Sequence, residues 1–222
     1  MTHPIDSLAI YHTYPTRARY QQPHTESSGD SDKLCQSLSS LSQRLRCLSL
    51  DDIAVSDDIF SPNNTPSTLH WPRLEDIYII YPPVSPTGEK LFQVKTTTSD
   101  DGGGDVDDDD DVGYYASDHS IDDSTQPHAE VIVTTPITNR FFAAAGRAAL
   151  EMPALRDMKL EALFVPRADV WLKFRYTPGK AIWASSCGYV PDHGTLELWN
   201  QVSRQHVGSN LEVVISGEED IY

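Results

Sequence analysis

Cys187 and His193 are the residues whose types and spacing come nearest to a catalytic set. A cysteine thiolate beside a histidine base acts as a nucleophile in several classes of enzyme. The chain has no G-x-S-x-G turn of the kind that presents a serine nucleophile. The small residues around the cysteine, in Ser185-Ser-Cys-Gly188, are equally typical of a turn. We therefore predict no catalytic residue and no enzyme. The alternative is a small cytosolic enzyme of unknown class that uses the Cys187/His193 pair.

A run of aspartates has part of the pattern of a calcium-binding loop. Asp107, Asp109 and Asp111 have the alternate spacing of calcium ligands. Val112 stands where such a loop needs glycine for its sharp turn, and Asp118 stands where the usual last ligand is the longer glutamate. The sequence therefore predicts no metal site, and it contains no motif for a cofactor.

The three cysteines, Cys35, Cys47 and Cys187, are odd in number and far apart, and they form no C-x-x-C pair. This pattern disfavours a disulfide scaffold and a zinc site, and it is typical of a reducing compartment. The stretch 1–14 lacks the basic and then apolar regions of a signal peptide. No apolar run approaches the roughly 18 residues that a membrane span requires. We therefore expect a cytoplasmic or nuclear protein.

The negative charge of the chain is concentrated in one segment. The 222 residues carry a formal charge of −16. Twelve acidic residues lie between positions 96 and 139, where there is no Lys or Arg. Such a density of like charges predicts a disordered acidic insert, which we place at 96–133. The overall charge also argues against nucleic acid and anionic membranes as partners, because both require clustered basic residues.

An apolar pattern of the form L-x-x-L-x-L recurs three times along the chain. The three copies occupy 45–50, 74–79 and 155–160, and a valine follows the first apolar residue of each copy by ten positions. The last two apolar residues of each copy are two apart, so in a strand they point to the same face. A unit of this kind must stack on a neighbour to bury that face. The pattern predicts leucine-rich-repeat-like units with their strands side by side in one parallel sheet.

Helices are predicted directly before the first and third copies. Leu34, Leu38, Leu41 and Leu45 recur at helical spacing, with Asp30 or Ser31 as the N-cap. Thr135-Pro136 starts a second helix, which an alanine-rich run continues as far as Pro153.

The chain after the third copy predicts a hairpin, a helix and a strand. Alternating residues at 170–176, followed by Thr177-Pro-Gly-Lys180 and Ile182, indicate a β-hairpin. Asp192 caps a last helix that ends at Gly208, and a closing strand follows at 211–215.

Four residues of the predicted hairpin and third copy lie on the side away from the apolar positions. Trp171 faces away from Leu172 and Phe174, and we predict that it packs beneath a helix and is not a binding anchor. Lys159, Lys173 and Arg175 form a small basic patch on this interpretation, which would attract the acidic insert.

Several of these features together resemble fungal F-box-type proteins. The similar stretches are the alanine-rich run 139–150 leading into Met152-Pro-Ala-Leu155, the Tyr176-Thr-Pro-Gly-Lys180 turn, and Leu196-Glu-Leu-Trp199. The resemblance covers residues 35–215 without the acidic insert. It implies a protein–protein interaction module in which the repeat region holds a protein target and an F-box docks on a ubiquitin-ligase adaptor.

The first 30 residues lack the leucine- and proline-rich pattern of an F-box. We therefore expect this chain to recruit a ligase adaptor only if an F-box lies upstream. The sequence predicts an α/β fold with a short, degenerate leucine-rich-repeat-like stack of parallel strands backed by helices. Its parts are a weakly structured tail (1–30), units one and two (31–95), the acidic insert (96–133), and unit three with a C-terminal hairpin, helix and strand (134–222).

Overall fold

A computed structural model describes residues 6–11, 33–61, 69–95, 130–163 and 170–217 of the chain. It is a mixed α/β structure in which a seven-stranded, mostly parallel sheet is backed by three helices, and a small two-stranded antiparallel sheet lies beside them. The predicted fold class is confirmed. Within the described residues, none of the helices combines the length and the apolar character needed to cross a membrane.

Three α-helices lie among the strands of the described residues, but they do not alternate strictly with single strands. Their bounds, in chain order, are β1 Ser7–Tyr11, α1 Lys33–Ser42, β2 Cys47–Asp51, β3 Asp76–Tyr81, β4 Phe92–Lys95, β5 Glu130–Val133, α2 Thr135–Leu150, β6 Asp157–Leu163, β7 Trp171–Thr177, β8 Lys180–Ser185, α3 His193–Val207 and β9 Glu212–Ser216. The large sheet has the strand order β1-β2-β3-β6-β7-β8-β9, and the small sheet pairs β4 with β5.

The three predicted copies lie side by side in one parallel sheet. Leu48 of β2 is in register with Ile77 of β3, which is in register with Met158 of β6. The next inward positions, Leu50, Ile79 and Leu160, are aligned in the same way, and these six side chains are all buried. The repeat hypothesis is therefore confirmed by the strand register.

A fourth strand of the same kind precedes the three predicted ones. In β1, Leu8 is in register with Leu48 and Ile10 with Leu50, again in parallel. The sequence Ile5-x-x-Leu8-x-Ile10 has the spacing of the other copies. The prediction of a weakly structured tail is thus wrong for Ser7–Tyr11, because the polar residues and prolines around this short copy conceal its periodicity.

The starts of neighbouring strands are joined by one repeated hydrogen-bond pattern. The Asp6 carbonyl accepts the N–H groups of Arg46 (2.7 Å) and Cys47 (3.1 Å). In the same way, the Arg46 carbonyl accepts the N–H groups of Glu75 and Asp76. Residues preceding the four parallel strands alternate in charge, in the order Asp6, Arg46, Glu75, Arg156. Glu75 pairs with Arg46 at 2.6 Å and with Arg156 at 3.2 Å. In this strand order Glu75 therefore lies between two residues of opposite charge.

Helix α1 presents a different face to the core from the predicted one. Leu38 is buried, but Leu34 is 51% exposed and Leu41 is 42% exposed. The buried face is centred on Cys35, Leu38, Ser39 and Ser42. The reason is a tertiary contact: the Trp71 indole N–H donates to Ser42 Oγ at 2.8 Å, so the small serines pack beneath the tryptophan. The predicted N-cap at Asp30 or Ser31 lies outside the described residues.

Helices α2 and α3 pack closely against each other and cover the centre of the sheet. A Cβ atom at Gly146 would lie 3.0 Å from Leu198 Cδ2, so glycine permits this close approach. The Trp199 indole N–H donates to the Phe142 carbonyl at 3.1 Å, and its ring centroid lies 4.7 Å from that of Phe174. This aromatic cluster joins both helices to β7.

The boundaries of the last helix and of the hairpin follow the predicted residues. The Asp192 carboxylate accepts the Thr195 N–H at 2.7 Å, and Gly208 ends α3 in the left-handed conformation. Strands β7 and β8 form the predicted hairpin, with Gly179 at φ +93° in its turn. Strand β9 pairs in parallel with β8 and forms the predicted closing strand.

The predicted acidic insert is too long at its C-terminal end. Residues Glu130–Val133 form β5, which pairs antiparallel with β4. Val133 is buried, because a β-branched residue beside Phe92 extends the core. The prediction of disorder for the rest of the insert falls on residues outside the described part.

A pair of substitutions in α1 tests which of its faces is buried. We expect Leu38→Ala to lower the free energy of unfolding by about 2–5 kcal/mol, because it leaves a cavity in the core. The matched control Leu41→Ala removes the same atoms from an exposed site, and we expect a change within about 0.5 kcal/mol. Urea denaturation of both variants measures the difference, and equal losses would contradict the observed helix face.

Titration of His206 makes stability depend on pH. Its Nδ1 lies 3.0 Å from the Tyr176 hydroxyl and its Nε2 3.1 Å from the Ala149 carbonyl. Burial lowers the pKa of this imidazole below its usual 6.5, so the unfolded chain binds the proton more readily. We expect the free energy of unfolding to decrease as the pH falls through 6.5. In the His206→Gln variant we expect this decrease to be smaller, because the titrating imidazole is absent. Urea titrations of both proteins at pH 7.5 and 5.5 measure it, and identical pH dependences would contradict the assignment.

Candidate functional site

The face of the large sheet opposite the helices is polar, and we call it the polar face. It carries the side chains that alternate with the buried apolar pairs. On the four central strands these include Cys47, Ser49, Asp51, Asp76, Tyr78, Asp157, Lys159, Glu161, Lys173 and Arg175. A groove of about 520 Å³ runs across β2, β3, β6 and β7 on this face. Most of these side chains are half-buried, so they are held in place but remain accessible.

Tyr78 lies near the middle of this groove with acidic residues on either side. Its position on β3 is in register with Ser49 of β2 and Lys159 of β6. Burial raises the pKa of its phenol, and the negative charges of Glu161 and Asp51 raise it further. The phenol is therefore protonated at neutral pH and presents a neutral ring and a hydroxyl donor between carboxylates.

The Cys47 thiol lies beside Asp76 at the start of the groove. Its Sγ is 3.6 Å from Asp76 Oδ2. Burial raises the pKa of the thiol, and the hydrogen bond to Asp76 and that carboxylate's charge raise it further. A thiol in this setting is a poor nucleophile, because the thiolate is the reactive form.

Basic side chains occupy the β6–β7 side of the groove. Arg175 makes a bidentate pair with Asp157, with N–O distances of 3.0 and 3.1 Å, and Lys159 Nζ is 3.8 Å from the same carboxylate. Lys173 Nζ lies 5.2 Å from the centre of the Trp171 ring. The structure thus brings together Lys159, Lys173 and Arg175, the three residues of the predicted basic patch. Residues 96–129 of the acidic insert that this patch was predicted to attract lie outside the described residues.

Trp171 is buried, but on the polar face and not beneath a helix. It is 5% exposed, and its register partner on β6 is Leu163. The three helices pack on the opposite face of the sheet, so the predicted packing partner was wrong. Trp171 and Lys173 are two positions apart in β7, so their side chains lie on the same face of the sheet.

The Cys187 and His193 side chains belong to different surroundings. Cys187 lies in the turn after β8, where its Sγ is 3.6 Å from Ser186 Oγ and its N–H donates to Ser185 Oγ. His193 is the first residue of α3 and lines a second groove, of about 850 Å³, between α2 and α3. Cys187 does not line that groove.

Arg140 and Asn139, which line the groove between α2 and α3, are engaged in contacts within the fold. Arg140 pairs with Glu89 and with Asp57, the latter at 3.3 Å. Asn139 accepts the Tyr189 hydroxyl hydrogen, which fixes the loop before α3. These contacts join secondary-structure elements, so we assign this groove a structural role.

No three His, Cys, Asp or Glu side chains in the described residues are grouped so as to hold a metal ion. The aspartates at 107–111 and Asp118, whose spacing partly matches a calcium loop, lie outside those residues.

Sequence analysis identified only part of the polar face. It singled out Lys159, Lys173 and Arg175 but did not consider Ser49 or Tyr78. A signal for these two residues was present, because each lies between the two inward apolar residues of a repeat copy.

Alkylation of Cys47 tests the electrostatics of the groove. We expect Asp76→Asn to lower the pKa of the thiol and to increase its rate of reaction with iodoacetamide several-fold at pH 8, because one pKa unit changes the thiolate fraction about tenfold. Mass spectrometry of the modified peptides measures the rate, with Cys187 in the same sample as the control. An unchanged Cys47 rate would contradict the contact with Asp76.

Protein-family models, curated proteins and solved structures were compared with the chain, and none of them matches it. A functional proposal therefore starts from the polar face and its groove.

Proposed function

We propose that this chain is a protein-interaction module whose recognition surface is the polar face of its sheet. This function is the one implied by the resemblance to fungal F-box-type proteins, in which the repeat region binds a protein target. Recruitment of a ubiquitin-ligase adaptor is not part of the proposal for this chain. The target is a protein of unknown identity.

The observation that supports this proposal most directly is the regular placement of polar side chains across four adjacent strands. Neighbouring strands lie about 4.8 Å apart, so the groove spans roughly 14 Å from β2 to β7. Side chains such as Ser49, Tyr78 and Lys159 project from a rigid scaffold at fixed intervals across it. Because this surface is already ordered before a partner binds, the entropic cost of binding is lower.

The composition of this surface also suits a protein partner. It combines hydroxyls, carboxylates, ammonium groups and one tyrosine ring, and tyrosine and arginine are enriched where proteins bind each other. The mixture of both charge signs gives electrostatic selectivity. A nucleic acid would instead need a continuous basic surface.

The thiols fit the proposed compartment, the cytoplasm or the nucleus. Cys35, Cys47 and Cys187 form no disulfide in the structure. Cys35 is fully buried, and its Sγ accepts the Ser56 N–H at 3.4 Å, so it serves as a packing residue. Cysteines that form no disulfide are typical of a reducing environment.

The proposal is tested by blocking the groove while leaving the helix side intact. We expect Ser49→Arg, which places a long side chain in the groove beside Tyr78, to reduce recovery of partner proteins at least tenfold in a pulldown from cells that express the chain at native level. A tenfold loss corresponds to about 1.4 kcal/mol of binding free energy. The matched control is Gln201→Arg, which adds the same side chain to the groove between α2 and α3.

Thermal unfolding of both variants checks that they are folded. Recovery of the same partners by the wild type and by Gln201→Arg, but not by Ser49→Arg, supports the proposal. It would be overturned if the wild type returned no reproducible partner, or if Ser49→Arg bound all of them as well as Gln201→Arg does.

A further inference from the structure

Strand β9 forms one edge of the large sheet, and its outer side carries backbone groups that no described strand pairs with. Among the described strands, β9 pairs only with β8. The Glu212 N–H donates to the Gly179 carbonyl at 2.8 Å, so Glu212 directs its backbone groups toward β8. Because these directions alternate along a strand, the N–H and C=O groups of Val213 and Ile215 point away from β8. They face the position that a further strand would occupy.

The side chains of the same two residues lie on the helix side of the sheet but are not covered there. Val213 is in register with Ala181 and Ile215 with Trp183, and both of these β8 residues are fully buried. Val213 is nevertheless 41% exposed and Ile215 is 45% exposed. Edge strands that stay unpaired commonly carry lysine or proline, whereas β9, with the sequence Glu-Val-Val-Ile-Ser, carries neither. This edge therefore has the properties of a strand that pairs with another.

We propose that β9 pairs antiparallel with β9 of a second copy of this chain, around a twofold axis at Val214. In this register Val213 lies opposite Ile215 of the second copy, and the two residues exchange their outward N–H···O=C hydrogen bonds. The axis repeats this pair, so Ile215 lies opposite Val213 of the second copy in the same way. The two large sheets then form one continuous sheet.

A second copy fits this edge because β9 is complementary to itself in that register. The opposed residues on the helix side are β-branched and apolar, a combination that stabilises antiparallel strands. On the other side, Glu212 lies opposite Ser216 of the second copy, so like charges do not face each other. The Glu212 carboxylate is also paired within its own chain, with Lys180 Nζ at 2.8 Å. The second copy thus supplies a strand of matching length, polarity and charge.

The symmetry and size of this contact determine how the copies associate. A twofold contact uses the same surface on both copies, so association ends at a dimer. Strands of five residues make a small interface, and we expect a dissociation constant between roughly 1 µM and 1 mM. The charge of −16 on each chain opposes association, and salt screens that repulsion. This dimer is independent of the proposed recognition by the polar face.

Sedimentation equilibrium of the full-length chain from roughly 1 µM to 1 mM tests the pairing. We expect an equilibrium between monomer and dimer that added salt shifts toward the dimer. The double variants Val213→Lys/Ile215→Lys and Val213→Glu/Ile215→Glu should each weaken the dimer at least about tenfold, because like charges then lie opposite each other. An equimolar mixture of the two variants should regain it, because each lysine then lies opposite a glutamate. This recovery also shows that both variants are folded.

The matched control is Val190→Lys, which adds a lysine at an exposed valine outside β9 and should change the dissociation constant less than about twofold. A wild-type chain that stays monomeric over the whole range overturns the inference. It is also overturned by a dimer that persists in the lysine variant, by oligomers larger than a dimer, or by association that salt weakens. Failure of the mixed variants to associate overturns the proposed register.

Discussion

Register between apolar pairs on adjacent parallel strands is the constraint on which the rest of this structure depends. Each strand from β1 to β6 in the large sheet turns two apolar residues toward the helices, and the pairs are aligned from Leu8 and Ile10 to Met158 and Leu160. A slip of one residue would turn Asp51 or Lys159 into the core, where an unpaired charge costs several kcal/mol. The alternating charges at the strand starts reinforce the same register, since Glu75 bonds to an arginine on either side.

The polar face is the other consequence of that register. Because side chains alternate along a strand, every inward leucine or isoleucine is followed by a residue that faces away from the helices. Burial on one face therefore fixes the positions of Ser49, Tyr78 and Lys159 on the other. In this molecule the same strand register therefore determines both the packing of the core and the positions of the side chains on the proposed recognition surface.

Predictions from sequence succeeded where a single local pattern determines the outcome. The copies at 45–50, 74–79 and 155–160 were identified from spacing alone, and so were the caps Asp192 and Gly208. Predictions failed where a contact with a residue distant in the sequence determined the local structure. The contact of the Trp71 indole with Ser42 accompanies burial of Ser42 and Leu38 while Leu34 and Leu41 stay exposed, and pairing with β2 places Ser7–Tyr11 in the sheet.

The sequence by itself determined the periodicity of the strands, the ends of the last helix and the concentration of acidic residues between β4 and β5. Only the tertiary structure decided which alternate residues share the polar face and that His193, but not Cys187, lines the groove between α2 and α3. The physical reason is that spacing along a strand fixes the side on which a residue lies. Which residues become neighbours across strands depends on pairing between segments that are as far apart as Asp76 and Asp157.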